Sequence, residues 1–567
     1  MDPAQIDVDV AALQANKQAW ARLPIPQKID YIEGIRTRTA KVARSWVEAA
    51  VKAKGLSMDN PLAGEEWTSG PFAVLMLLND LEESLVRIAA GQSTVDGYPV
   101  RQTSSGQVIV EVFPQTTQDR LAFSGVSAEV WMDPAITPEN LEEATASFYR
   151  QDQPEGIVQV VLAAGNIASI APLDVIHAMF NEGKVAVLKM NPVNDYLGEF
   201  LEEIFAELVA AGYIRFAYGG AAVGEYLTAH PQVDSIHITG SAATHDAIVF
   251  GSGEQAEENK RSNTPVNLKP IGSELGGVSP TIVVPGPWSK RDIRHQAEQV
   301  VSQKMHNSGF NCVAAQLVVV PEGWEHTDTL LDEIRAVMAD MEDRHLYYPG
   351  AMGRCEAAIS RTTGVETYGA IEPRFIVTGL DPTSDDEPLF SNEVFGPVLG
   401  VVSLASPDVP SYLIKATAFA NENVFGTLGV NILAHPRTMK RYRSAVDRML
   451  SALDYGTIAV NTWTGAAYFM PRLTWGAAPG HTAQDIQSGS GVVHNVLMFD
   501  RPAKSVIYGP FVDGTRSWMK GEYHVATKPV YFVSNKQAHV MGERLIPYAV
   551  SGSSSDLAKV ASAAVRG

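Results

Sequence analysis

The chain has 567 residues, 45% hydrophobic and 19% charged. Average proteins carry about 25% charged residues, so this balance excludes a disordered tail protein, and the length suggests about two to four domains. A formal charge of −20 argues against nucleic-acid phosphates and anionic membrane, and two cysteines, Cys312 and Cys355, exclude a disulfide scaffold and a four-thiolate zinc site.

No run of about 18 apolar residues occurs, and the start, MDPAQIDVDVAALQANKQAW, lacks a basic region followed by an apolar one. Neither a bilayer span nor a secretory signal is therefore expected. The expected location is the cytoplasm, where thiols stay reduced.

Taken in chain order, 24–56 reads as a helix, with Ile29, Ile32, Ile35, Val42 and Val47 recurring among charges and Gly55 closing it. A second amphipathic helix spans 75–91, and 107–113 reads as a strand. From 157 a new rhythm begins. Strands at 157–162, 185–189, 213–217 and 235–239 alternate with helical stretches at 171–182, 196–211 and 221–229. That alternation predicts βαβ units in a parallel sheet. Segment 251–270 is polar and reads as a long surface loop. The alternation resumes with strands at 281–284, 317–320, 398–403, 427–432 and 457–461 and a helix at 290–305. Segment 471–491 is rich in Gly, Ser and Pro, and the tail 551–567 reads as a frayed end or a short helix.

Several sequence signatures are missing: the P-loop, H-E-x-x-H, C-x-x-C, G-x-S-x-G and the G-x-G-x-x-G dinucleotide fingerprint. What stands out is an ordered set of weak signals. Cys312, in HNSGFNCVAAQLVVV, sits in a polar, flexible setting before a strand. It reads either as a buried small hydrophobe or as an exposed nucleophile. Cys355, in AMGRCEAAIS, has no such setting and reads as structural. Glu274 stands beside Gly272, Gly276 and Gly277, either as a loop carboxylate or as a working one. Asn166 follows one apolar strand and Lys189 ends the next, 23 residues later. Gly240 and Ser241 follow a third strand, and Glu393 precedes Phe395-Gly396-Pro397. Each has a plain turn or strand-end reading when taken alone.

Together the blocks VLAAGN (161–166), VAVLKMNP (185–192), VGEYLTAHPQVDSIHITGS (223–241), SELGG (273–277), NSGFNC (307–312), NEVFGPV (392–398) and GTIAVNTW (456–463) resemble the aldehyde dehydrogenase superfamily, over about 20–500. The resemblance implies an α/β fold: a modified Rossmann cofactor domain, an α/β catalytic domain and a small β oligomerisation element. It assigns 1–135 and 156–284 to the first, 285–475 to the second, and 136–155 with 476–567, including a C-terminal extension, to the third. It implies Cys312 as nucleophile, forming a thiohemiacetal and then a thioester. Asn166 would be an oxyanion donor and Glu274 the base for the hydrolytic water. Lys189, Gly240, Ser241, Glu393 and Phe395 would bind NAD or NADP, and no metal is implied. A small-molecule aldehyde is the implied substrate and a homodimer or homotetramer the implied assembly, with the extension at a subunit boundary.

The chain departs from the family in places. Ala164-Gly165 replaces the usual Pro-Trp before the asparagine, and His245 stands where many relatives carry glycine. Pro192, three residues past Lys189, replaces a glutamate common in NAD-preferring relatives, which gives a slight lean to NADP. His245 and Lys260 are candidates for added positive charge there. Phe310, Trp463, Tyr468, Phe469 and Trp475 read either as tunnel lining or as ordinary packing. Competing readings are a CoA-acylating enzyme, against which Glu274 argues, and a catalytically silent member of the same fold.

Overall fold

A computed structural model describes residues 1–123, 125–512 and 528–567. The βαβ rhythm from 157 onward builds a six-stranded sheet. Its strands lie in the order Gly489–Ser490, Ile271–Leu275, Ser235–Gly240, Val158–Leu162, Val185–Lys189 and Ile214–Ala217. All neighbours are parallel except the short Gly489–Ser490 strand, which pairs antiparallel with Ile271–Leu275. Val158, Val160, Val161, Val185, Ala186 and Leu188 are fully buried, as expected of strands covered on both faces.

The second sheet has eleven strands. Its parallel centre runs Pro502–Tyr508, Thr457–Val460, Gly429–Leu433, Pro280–Val283, Leu317–Pro321, Val398–Leu404 and Arg374–Leu380. Antiparallel strands extend it on both sides. Ser127–Met132, Val108–Phe113 and Val100–Gln102 follow Pro502–Tyr508, and Val365–Tyr368 closes the other edge. The three strands within 1–135 thus belong to this sheet, while helix Pro3–Ala21 packs on the six-stranded one.

Most expected elements are present, and the differences include three in the smaller sheet's half of the chain. Residues 3–21 form a helix that the sequence reading passed over, burying Ile6, Val10, Leu13 and Trp20. The stretch 196–211 breaks at Phe205 into Gly198–Ile204 and Ala206–Ala210. The segment expected as a long surface loop, 251–270, contains helix Glu254–Ser262. Acids in its first turn and Lys260 and Arg261 in its last suit the helix dipole. The tail ends in helix Ser554–Ala564, the second of its two expected readings.

Within the expected extension, 513–527 lie outside the described residues. Helix Ala538–Ser551 packs on the chain's own N-terminal helices, placing Leu545, Ile546 and Ala549 against Ala43, Val47, Val51 and Trp67. Gly542 permits this approach, since a Cβ there would lie 2.6 Å from that of Trp67. No helix among the described residues is long and apolar enough to cross a membrane.

Candidate active site

The chain runs outward through the strands ending at Leu162, Lys189 and Ala217, then returns with Ser235–Gly240 beside Val158–Leu162. This reversal makes a topological switch point, and open parallel sheets bind ligands at the carboxyl ends of such strands. Asn166, Lys189, Gly240 and Ser241 all stand at these ends. Glu274 lies in the last parallel strand, and the chain then crosses to the larger sheet. Cys312 precedes strand Leu317–Pro321, and the Gly277 N–H donates to its carbonyl at 3.3 Å. The two sheets thereby bring Glu274 and Cys312 together.

The loop before Cys312 turns through left-handed backbone at Asn307, Ser308 and Gly309, with φ of 54°, 56° and 79°. Such a conformation at two non-glycine residues persists only when surroundings over-determine it. Asn307 supplies that constraint. Its N–H donates to Glu65 at 3.0 Å, and its Oδ1 accepts from Lys54 Nζ at 2.9 Å and lies 3.0 Å from the Tyr347 hydroxyl. Its Nδ2 donates to the carbonyls of Asn166 (3.0 Å) and Phe310 (3.1 Å). The Asn166 side-chain amide donates to the same Phe310 carbonyl at 2.9 Å, two residues before the cysteine.

Behind Asn307 lie two buried ion pairs, Lys54–Glu66 at 2.6 Å and Glu65–Arg344, a two-pronged pair at 2.8 and 3.0 Å. Burial would raise Glu65, but Arg344 and its neighbours hold it at about 2. None of Lys54, Glu65, Glu66, Arg344 or Tyr347 figured in the sequence reading. The one available signal was Glu65-Glu66 inside the otherwise apolar run PLAGEEWTSGPFAVLML.

The Cys312 thiol is half-buried, while Cys355 is buried in helix Ala351–Ile359. Burial, then the carboxyls of Glu274 and Glu393, push the Cys312 pKa well above its ordinary value. Glu274 is itself raised to about 8 by burial and by Asp174, against the Trp475 indole N–H that donates to it at 2.9 Å. Glu393 is raised to about 8 by burial, against Lys304 and Arg354. Gln316 places Glu393. Its amide donates to the carbonyls of Leu389 and Asn392, and its Oε1 accepts from the Val394 N–H at 2.8 Å. Arg354 donates to the carbonyls of Val394 and Phe395, holding Phe395 at a φ of 47°.

The residues at the cofactor end suit a dinucleotide. Glu393 Oε1 is buried without a partner among the described residues, an acceptor left open for a hydroxyl. Gly276 clears its space, since a Cβ there would lie 2.2 Å from that oxygen. Ser241 caps helix Ala242–Phe250, its hydroxyl accepting from the Thr244 N–H at 3.2 Å. A helix start at a switch point suits a pyrophosphate. Lys189 ends its strand with its ammonium pKa lowered by burial, against Asp195.

His245 and Lys260 do not supply the positive charge considered for this end. His245 is buried, its pKa lowered by burial, and both side chains are spent on Asp246, at 3.3 and 2.7 Å. Gly165 has its own reason: a Cβ would lie 2.7 Å from Asn191 Oδ1.

Among the aromatic candidates, Phe310 packs against Tyr347, Tyr348 and Phe395. Tyr468 contacts Phe469, Trp475 and His494. Trp463 is buried and donates to the Val313 carbonyl at 3.1 Å.

The chain matches the model of the aldehyde dehydrogenase family over residues 112–347. It is similar to the aminoacetaldehyde dehydrogenase of Pseudomonas aeruginosa, 26% identical over 372 residues, covering 62% of this chain and 68% of that one. It shares its fold with aldehyde dehydrogenase C of Pseudomonas syringae, a mutant solved with NAD+ and octanal, at 16% identity, a TM-score of 0.59 and 90% of both chains. An NADP-dependent enzyme of Escherichia coli is similar at 17% identity and a TM-score of 0.58, over 90% of this chain and 91% of that one. These likenesses, set beside the switch-point site, make residues 112–347 similar to the aldehyde dehydrogenase family and the fold that of its solved members.

Proposed function

We propose that the chain is an NAD(P)-dependent aldehyde dehydrogenase that releases a carboxylic acid. The observation carrying this reading is the convergence of the Cys312 thiol, the Asn166 amide and the Glu274 carboxyl, with Glu393 presenting an open acceptor beside them. Cys312 adds through sulfur to the aldehyde carbon. The Asn166 side-chain amide and the Cys312 N–H hold the developing oxyanion, a contribution of about 3–4 kcal/mol per donor. Bound NAD(P) supplies the hydride acceptor. Glu274, as carboxylate, takes a proton from the water that cleaves the resulting thioester, and Cys312 leaves as the thiolate, its sulfur keeping the C–S electron pair.

Lys189, Gly240, Ser241, Glu393 and Phe395 hold the dinucleotide. A slight lean to NADP rests on Pro192, which puts no carboxylate at that position against a 2′-phosphate; Asp195, whose charge reaches Lys189, works the other way. Residues 1–135 with 156–284, 285–475, and 136–155 with 476–567 are read as cofactor, catalytic and bridging units. A homodimer or homotetramer is the proposed assembly. The exposed edge strand Val100–Gln102 offers unpaired backbone for it, and light scattering on the purified chain tests it.

The deciding experiment records absorbance of the reduced nicotinamide across an aldehyde panel, with NAD and NADP separately. Aldehyde-dependent reduction that is lost in Cys312→Ala is expected. No reduction with either dinucleotide, or unchanged turnover in Cys312→Ala, overturns the reading. Acyl-CoA formation on adding CoA would favour the acylating alternative.

A further inference from the structure

A cavity of about 520 Å³ lies behind Glu274, on the side away from Lys189, Gly240 and Ser241. Alternate strand residues share a face, and here Ser235 and His237 of one strand and Gly272 and Glu274 of the next form its wall. Thr239 lies directly opposite Glu274 in this ladder, and His237 opposite Gly272. The Thr239 hydroxyl donates to the buried Asp174 carboxylate at 2.7 Å, and His237 Nε2 lies 3.5 Å from the same oxygen. Glu274, Asp174 and His237 all line the cavity, the two carboxyls buried. Its mouth is formed by exposed Ser147, Gln151 and Asp500.

We propose that this cavity is a water and proton conduit for Glu274, in which Asp174 and His237 pass the proton from Glu274 to solvent. The inference rests on the functional reading above, in which Glu274 is protonated once in every hydrolysis. The water oxygen bonds to the thioester carbon, the C–S bond breaks, and its electron pair stays on the Cys312 sulfur as the thiolate. The water's proton goes to Glu274, then to the Asp174–His237 pair, and through cavity water to bulk. A buried carboxyl whose front is filled by substrate and dinucleotide needs such a second route. Its pKa of about 8 means that it holds the proton near neutral pH unless a neighbour removes it.

His237 suits the task because an imidazole accepts at one ring nitrogen and releases at the other. Other titratable groups face the same region. Burial lowers the pKa of His177 and brings His494 to about 4, so both stay neutral there. Burial pushes the Tyr468 hydroxyl well above its ordinary value. Glu182 and Lys184 pair at 2.7 Å at the side of the cavity.

The test compares the first turnover with the steady state, using the purified full chain, an oxidisable aldehyde and NAD(P). In Asp174→Asn and His237→Ala, the first-turnover rate of nicotinamide reduction should stay within about twofold of wild type. Steady-state turnover should fall tenfold or more, with a larger solvent isotope effect. Added imidazole should restore His237→Ala, and a Val492→Trp change at the cavity wall should abolish that rescue. If Asp174→Asn does not fold, the His237→Ala rescue decides alone. Unchanged steady-state rates and isotope effects in the variants, or no rescue, overturn the conduit while leaving the dehydrogenase reading intact. Absence of any aldehyde-dependent reduction by the wild type overturns both.

Discussion

Asn307 donates from its side-chain amide to the main-chain carbonyl of Asn166 at 3.0 Å, tying the loop of the proposed nucleophile to the proposed oxyanion donor. The left-handed turn at 307–309 and the position of Asn166 are thus one unit, fixed by Lys54, Glu65 and Tyr347. Asn307→Ala should lower kcat by about tenfold to a hundredfold, less than the roughly hundredfold to thousandfold cost of losing an oxyanion donor outright, because Asn307 only positions one. The KM for the dinucleotide should stay nearly unchanged. Steady-state kinetics check both.

Lys54→Met leaves Glu66 buried without its cation. Breaking a buried pair from one side costs about 3–5 kcal/mol. Denaturant unfolding should show that loss, and the double change Lys54→Met with Glu66→Gln should recover part of it.

The raised thiol of Cys312 makes alkylation by iodoacetamide slow near neutral pH and faster as pH rises. Above pH 8, where Glu274 is ionised, Glu274→Gln should react faster than wild type because a repelling charge is gone. Mass spectrometry should find the label on half-buried Cys312 before buried Cys355.

Two carboxyls, Glu274 and Glu393, rise from 4.5 to about 8 on folding. The folded state then binds more protons than the unfolded one. Their contribution to stability is full below about pH 4.5 and is lost as pH rises through about 8. In Glu274→Gln with Glu393→Gln, unfolding free energy should fall less across that window. Hydrolytic turnover runs the opposite way. In the proposed mechanism it needs the Glu274 carboxylate, so the rate should climb with pH to half its plateau near 8, and stopped-flow deacylation rates check this.

Gly276→Ala sets a Cβ 2.2 Å from Glu393 Oε1. The carboxyl must move, so the KM for the dinucleotide should rise at least about fivefold, read from saturation kinetics at fixed aldehyde. Thioester hydrolysis, served by Glu274, should change less.

The site was legible where chemistry and chain order coincide. Cys312, Glu274, Asn166, Lys189, Gly240, Ser241 and Glu393 could be named only as an ordered set that resembles a family, since each alone reads as an ordinary turn, loop or strand-end residue. The supporting residues were not legible. Lys54 and Glu66 look like surface charges until the fold buries them, and nothing local marks Asp174 or His237 as neighbours of Glu274.

By itself the sequence determined the strand–helix alternation, because hydrophobic period and turn residues act over short range, and its ordered motif blocks carried the family likeness and the candidate chemistry that the likeness implies. Tertiary structure decided which charges are buried, which carboxyls hold protons near neutral pH, and that a cavity opens behind Glu274. Those properties come from packing and desolvation among segments hundreds of residues apart, as Lys54 is from Asn307.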